Sequence, residues 1–593
     1  MLNETRTVIR KLRYQALLFG LLGAVHALVA QRYANEVFDA GQLTITPDVP
    51  YARNIDFLHS DFSDPELAAS EVIQLQYFVA NHIPIPLTFF DPESPSTLVK
   101  LAELRMDVYQ PDQTLDCEQA RPLFIYLHTG DLMPPPLNGR PVGTRKDSSA
   151  VEICRRMAQR GYVAASLSYR LGWSPQAADP DTLRGTWINA LYRAMHDLEE
   201  GIRVLKLAAV QYHADPDRVI VCGEGIGGSI ALAAATLDDP AELFIPKLLP
   251  DASEPDTSYV DQGREGNLDG FNGFYNLYHP SLYDSHFDVC VSMGGTLVDT
   301  SWLAPGDPGM VAFHGVFDPV APFSAGNLLA FPGGAGIIPV HGPDVYQPLA
   351  NTLGNNAAFT GLPDGDPYTD RARDLYGTSQ VHTASTVAVD AAAEGTFPFV
   401  TPDWPAMDPA TREEGAPWIW WDALSPVSLT EVAPGVTAHE AELAGDPDMA
   451  PAKGRAYIDT IMGYMNPRII SVLGLPGDQF TVGMPCDDGH PQTFNDVYDS
   501  TCTCAGIPIG IEEAGMIDGL TVWPVPVDDV LRVSSTQRPI VGYDLYDAVG
   551  RLARSASVNA FQFMMSREGL QAGTYILMVR FANSRVTRKV VLD

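Results

Sequence analysis

A chain of 593 residues is too long for one compact core, which predicts a large domain with insertions and at least one smaller domain. With 46% hydrophobic residues it can fill a sizeable interior. Its 73 acidic against 38 basic residues give a formal charge of -35, a field that repels phosphate backbones and anionic membranes and so excludes nucleic acid as a partner.

Residues 1–30 read as a signal peptide: Arg6, Arg10, Lys11 and Arg13 precede the apolar run Ala16 to Ala30. Cleavage is expected near Ala30, with an uncleaved anchor as the alternative. No second such run follows, so no transmembrane helix is expected after cleavage. Residues 31–480 are expected to form the large domain, with insertions at about 56–100, 240–285 and 344–455. Gln42 to Thr46 and Leu104 to Tyr109 alternate as short strands, and the Pro-rich stretch from Ile83 to Pro95 lies between them.

The core sheet is predicted to follow. Leu123 to Leu127 is continuously apolar, as in a strand buried on both faces, and ends at His128-Thr129-Gly130-Asp131. Next come a helix from Ser149 to Arg160, capped at Asp147 or Ser148 and stopped by Gly161, a strand from Tyr162 to Tyr169 and an amphipathic helix from Tyr192 to Leu207. Strands alternating with helices imply an α/β class with a mostly parallel sheet.

The stretch Ala214 to Ala235 then gives strand, sharp turn and small-residue helix. In the nucleophile elbow G-x-S-x-G the glycines let the two backbones approach while the middle residue is lifted into a cleft. Here the pattern reads Gly223-Glu224-Gly225-Ile226-Gly227, and Gly225 stands where the attacking serine belongs. Ser229 lies a helical turn further on and is expected to face away from the apex.

Met106-Asp107-Val108-Tyr109, His128-Thr129-Gly130, Arg160-Gly161-Tyr162-Val163, Tyr169-Arg170-Leu171-Gly172, Tyr192-Arg193-Ala194 with Asp197, and Asp215-Pro216-Asp217-Arg218-Val219 occur in this order before the elbow. Over about residues 100 to 345 the series resembles the α/β-hydrolase carboxylesterases and lipases. The resemblance implies a triad carboxylate at Asp318, in His314-Gly315-Val316-Phe317-Asp318, and an oxyanion hole from the N–H of Ile226 with one near Thr129 or Gly130. For the histidine it leaves His341, with His382 as runner-up. No cofactor and no metal are expected, and a small acyl or polymer ligand is. Two functions stand: a catalytically silent binding or surface module, a pseudoenzyme of the family, or a secreted carboxylesterase or lipase with a non-standard nucleophile.

Further on, Trp418-Ile419-Trp420-Trp421 is either a sugar or polymer platform or core packing, and Tyr457 to Val472 reads as a helix. Seven cysteines permit disulfides in an exported chain. Cys222 and Cys290 read as core residues, Cys117 and Cys154 as a candidate bridge, and no spacing supports a zinc site. Residues 484–506 resemble the cysteine-containing linker modules of Bacteroidetes-type surface proteins, either disulfide-tied or binding a hard cation. Residues 519–593 alternate as a small all-β sandwich and resemble the C-terminal sorting domain of type IX secretion cargo, with Val525 in place of the usual asparagine between two prolines. That resemblance implies the type IX secretion machinery as partner, and a secreted or cell-surface location reached through the periplasm.

Overall fold

A computed structural model describes residues 32–362, 364–375, 393–401, 414–475, 485–486, 488–490, 493–499, 502–508 and 519–593. Residues 1–30, expected to be a signal peptide, and His382 lie outside them. Two units divide at residue 481.

The first unit is built on an eight-stranded sheet. In chain order its strands begin with β1 (Leu43–Asp56), β2 (Lys100–Pro111), β3 (Arg121–Leu127), β4 (Val163–Leu167), β5 (Ala214–Glu224), β6 (Val289–Met293) and β7 (Gly309–Gly315). A hairpin, β8 (Ala325–Leu329) with β9 (Gly336–His341), precedes the last, β10 (Thr396–Phe399). Across the sheet the order is β1-β2-β4-β3-β5-β6-β7-β10. β1 and β2 run antiparallel to their neighbours, and the six from β4 to β10 are parallel.

The apolar run of β3 shows why this sheet needs cover on both sides. Leu123, Ile125 and Leu127 join one hydrophobic cluster while Phe124 and Tyr126 join the other, as the period of two dictates. Helices Pro180–Leu207 and Ile226–Thr236 cover the first face, and Ser148–Gln159 and Pro451–Leu473 the second.

Two helices exceed the sequence reading. Pro180–Leu207 starts twelve residues before Tyr192, with the Asp179 carboxylate accepting the Thr182 N–H at 3.0 Å and Pro180 in the first turn. Pro65–Ala80, within the insertion expected at about 56–100, is capped in the same way by Asp64, which accepts the Leu67 N–H at 3.1 Å. It packs Val72 and Leu75 against Phe89 and Val99 in a satellite core. A two-stranded ribbon, β11 (Glu431–Ala433) with β12 (Val436–Thr437), leads towards the last helix of the unit. The Trp418 to Trp421 group is buried throughout, so it is core and not an open platform.

The predicted bridge from Cys117 to Cys154 does not form, because Cys154 is a buried free thiol on the inner face of its helix. Cys222 and Cys290 are free and buried too. Burial pushes all three thiols up and denies a reagent access. A colorimetric thiol titration of the unreduced protein is therefore expected to find three equivalents in denaturant and none in the native state.

The second unit opens with a hairpin, β13 (Thr493–Tyr498) against β14 (Cys504–Pro508), tied by a Cys486–Cys504 disulfide. The all-β region follows: β15 (Leu520–Trp523), β16 (Val530–Ser535), β17 (Ile540–Asp547), β18 (Leu552–Ala560), β19 (Gln562–Ser566), β20 (Gly573–Arg580) and β21 (Arg585–Leu592). Sheets β15-β16-β19 and β18-β17-β20-β21 enclose a core that includes Leu531, Val533, Leu545, Leu577 and Val590.

Candidate ligand cleft at the elbow

Close approach of backbone to backbone sets the elbow. A β-carbon on Gly223 would overlap the Gly227 carbonyl, and one on Gly227 the Leu127 carbonyl, so only glycine lets the helix Ile226–Thr236 sit this tightly on β5 and β3. Gly225 between them has φ 55° and ψ -121°, a conformation costly for residues with a side chain, and its N–H donates to Met293 O at 2.7 Å. The apex therefore combines a strained backbone with the absence of a side chain. A β-carbon at Gly225 would overlap the Thr129 hydroxyl, which fills that space. The Thr129 carbonyl accepts from His128 Nδ1 at 2.5 Å, and the His128 ring stacks on Tyr169 with centroids 4.4 Å apart while the Tyr169 hydroxyl donates to His128 O at 2.8 Å.

Beside the apex the Glu224 carboxylate is 1% exposed. Its Oε2 accepts from the Tyr126 hydroxyl at 2.8 Å and the Ser149 hydroxyl at 3.0 Å, and its Oε1 from Trp418 Nε1 at 2.9 Å. Burial raises its pKa above the usual carboxylate range, while these three donors pull the other way. Both oxygens are engaged, so Glu224 is fixed in the wall rather than free to attack.

Asp318 follows β7, and its Oδ1 accepts the N–H groups of Val320 (2.9 Å) and Ala321 (2.8 Å). The other oxygen lies against Gly415: a β-carbon there would be 2.5 Å from it. An imidazole does not fit between them. The nearby His314 is 1% exposed and donates from Nε2 to Ala321 O at 2.9 Å. Burial lowers its pKa, with Asp318 acting in the opposite sense.

These residues border a cavity of about 280 Å³. Thr129, Glu224, Gly225, Ile226 and Asp318 all line it, so the fold brings together most of the site expected from the sequence. Ser229 borders it as well, with its Oγ accepting the Thr296 N–H at 2.9 Å. Gly130 packs on Gly143 behind the wall. His341 ends β9, where its backbone exchanges hydrogen bonds of 2.8 and 2.9 Å with Leu297, and it is not part of the lining. Among the described residues no histidine lines the cavity.

One part of the wall is acidic, with Glu414, Glu442 and Asp446 from late in the chain. Arg140 bonds Glu442 through Nε and Nη2, 302 residues apart. Glu414, Asp446 and Asp448 place carboxylate oxygens within 4.8 Å of one another, close enough to share a metal ion. The Lys453 ammonium bonds all three and supplies the cation from the protein itself. Sequence reading passed over Glu414, Glu442 and Asp446 because their segments carry no motif.

Strand order and elbow together define an α/β-hydrolase fold. Residues 521–593 match the family model of the secretion system C-terminal sorting domain. This sorting domain marks the protein for type IX secretion to the cell surface or extracellular space, and no helix among the described residues is long and apolar enough to cross a membrane. No curated protein matches the chain. Solved structures similar to it include esterase 2 of Thermogutta terrifontis. With propionate bound it is 16% identical, at a TM-score of 0.24 over 37% of this chain and 70% of that one. The cyclosarin-phosphonylated form is 18% identical, with a TM-score of 0.24 over 37% and 69%.

Proposed function

We propose that this protein is a secreted or surface-bound ligand-binding module on an esterase scaffold, without esterase catalysis of its own. The observation that carries the reading is the apex itself: Gly225 holds an elbow conformation, the Thr129 hydroxyl occupies the space of the missing side chain, and Asp318 faces Gly415 instead of an imidazole. Acyl transfer on this fold needs a hydroxyl nucleophile activated by a base that is oriented by the carboxylate. Removing the nucleophile or the base from such a unit costs about six orders of magnitude in kcat. The first N–H groups of the helix Ile226–Thr236 remain free of the helix's own hydrogen bonds and favour a polar ligand at the apex.

The test is an assay of the purified protein on p-nitrophenyl acetate and butyrate, where release at the buffer rate is expected. Turnover that Asp318→Ala abolishes would return the protein to the secreted carboxylesterases or lipases. Turnover lost instead with Thr129→Ala would assign the nucleophile to that hydroxyl.

A further inference from the structure

We infer that Lys453 and Asp446 condense into an intramolecular amide, a cross-link from Nζ to Cγ with Glu414 as the proton carrier, which closes the turn ahead of the last helix of the large unit. This modification is independent of what the cleft binds.

Lys453 stands in the first turn of the helix Pro451–Leu473, and Asp446 lies in the connection that follows the short helix Ala438–Leu443. Asp446 Oδ1 accepts from Nζ at 2.5 Å, so Cγ, one bond beyond that oxygen, is within reach of the nitrogen. Glu414 accepts from the same Nζ. Nucleophile, electrophile and base thus meet around one atom, which turns a slow bimolecular condensation into an intramolecular one. The lysine, aspartate and glutamate side chains are 12%, 6% and 2% exposed. Trp420 covers the same turn, because a β-carbon on Gly454, the residue after Lys453, would overlap its ring. Amide formation releases water, and a site that excludes water favours the amide over its hydrolysis.

Asp446 adds an independent observation. Its Oδ2 is buried and has no hydrogen-bond partner, a costly state for an acceptor. In the condensation this is the oxygen that leaves, so the reaction removes the unsatisfied atom from the interior. Burial also pushes the Asp446 carboxyl up to about 7, against the pull of Lys453, with Glu414 and Asp448 adding to the rise. Near neutral pH much of it is therefore the acid, which an amine attacks more readily than a carboxylate. For Lys453, burial favours loss of the proton, but the surrounding carboxylates outweigh it and raise the pKa. The amine must therefore be freed inside the cluster, and Glu414 is in contact to do so.

The step balances without a co-reactant. Glu414 takes one proton from the ammonium, and the freed amine attacks Cγ of the acid form. The Nζ–Cγ bond forms and the Cγ–Oδ2 bond breaks. Oδ2 departs as water, carrying its own proton and a second one from Nζ. The third Nζ proton stays on the amide, and nothing is oxidised or reduced.

Tryptic digestion of the reduced and denatured full-length protein, read by mass spectrometry, tests this. Cleavage after Arg412 and Arg455 is expected to release residues 413–455 as one peptide, uncut after Lys453 and lighter than its sequence by one water. Fragmentation is expected to place the link between Asp446 and Lys453. Glu414→Gln is expected to give full mass and normal cleavage at Lys453 in a protein that still shows a cooperative urea transition. If that variant does not fold, Glu414→Asp takes its place, with incomplete condensation expected. Asp448→Asn, at a carboxylate 40% exposed, is expected to condense as the natural chain does. A natural peptide of full mass, cut after Lys453, overturns the inference. Water lost at Asp448 alone, by closure on the Met449 N–H, leaves Lys453 open to trypsin and overturns it equally. Asp446 has no such route, because Pro447 carries no N–H. A link from Lys453 to Glu414 overturns the pairing, and a Glu414→Gln protein that condenses fully overturns the role of Glu414.

Discussion

Replacing Gly225 by serine, the change that restores the sequence pattern of an active elbow, is expected to lower stability and to restore no activity. Two costs arise. The conformation at φ 55° and ψ -121° strains any residue with a β-carbon by about 1–3 kcal/mol. The new side chain must also displace the Thr129 hydroxyl, an overpacking worth about 1–3 kcal/mol. The sum, about 2–6 kcal/mol, would appear as a lower urea midpoint for the large unit. Thr129→Ala in the same chain removes the second cost and should recover about 1–3 kcal/mol. Neither variant is expected to hydrolyse p-nitrophenyl butyrate, because among the described residues no imidazole lines the cavity that Asp318 borders. A stable Gly225→Ser protein that turns over ester would show that a base reaches the apex after all. Combining it with His341→Ala and, separately, His382→Ala would then identify that base.

The same residues show what a sequence can disclose. The elbow was legible because close approach of backbones demands glycine at Gly223 and Gly227, and that demand is written in one local segment. Asp318 was legible from its place after an apolar strand that became β7. The helix Pro180–Leu207 was read twelve residues short, because the reading followed its apolar face and overlooked the Asp179-Pro180 cap. Nothing local marks Trp418 as the donor to Glu224, 194 residues earlier, or Gly415 as the residue against Asp318. Those pairings are made by the packing of residues 414–421 onto the cleft, a tertiary event with no periodicity to betray it. His341 looked suitable because it ends an apolar segment. That segment is one arm of a hairpin, and pairing with Leu297 places its end outside the cavity lining.

Removal of the Asp116 carboxylate should lower the stability of the large unit severely. Asp116 accepts from Arg32 Nη1 at 2.7 Å and Nη2 at 2.8 Å and from Arg121 Nε at 2.7 Å, and all three side chains are fully buried. Asp116→Ala leaves two guanidinium groups without their counter-charge in the interior, a loss of about 3–5 kcal/mol. Arg32→Met is expected to cost less, about 1–3 kcal/mol, because Asp116 and Arg121 stay paired and an apolar chain of similar length fills the space between Tyr33 and Phe38. The order of the two urea midpoints is the measurement, and an Asp116→Ala protein more stable than Arg32→Met would refute the account. Arg121 opens β3, whose other end leads into the His128-Thr129 turn at the cleft, so the ion cluster and the cavity share a strand but occupy opposite ends of it.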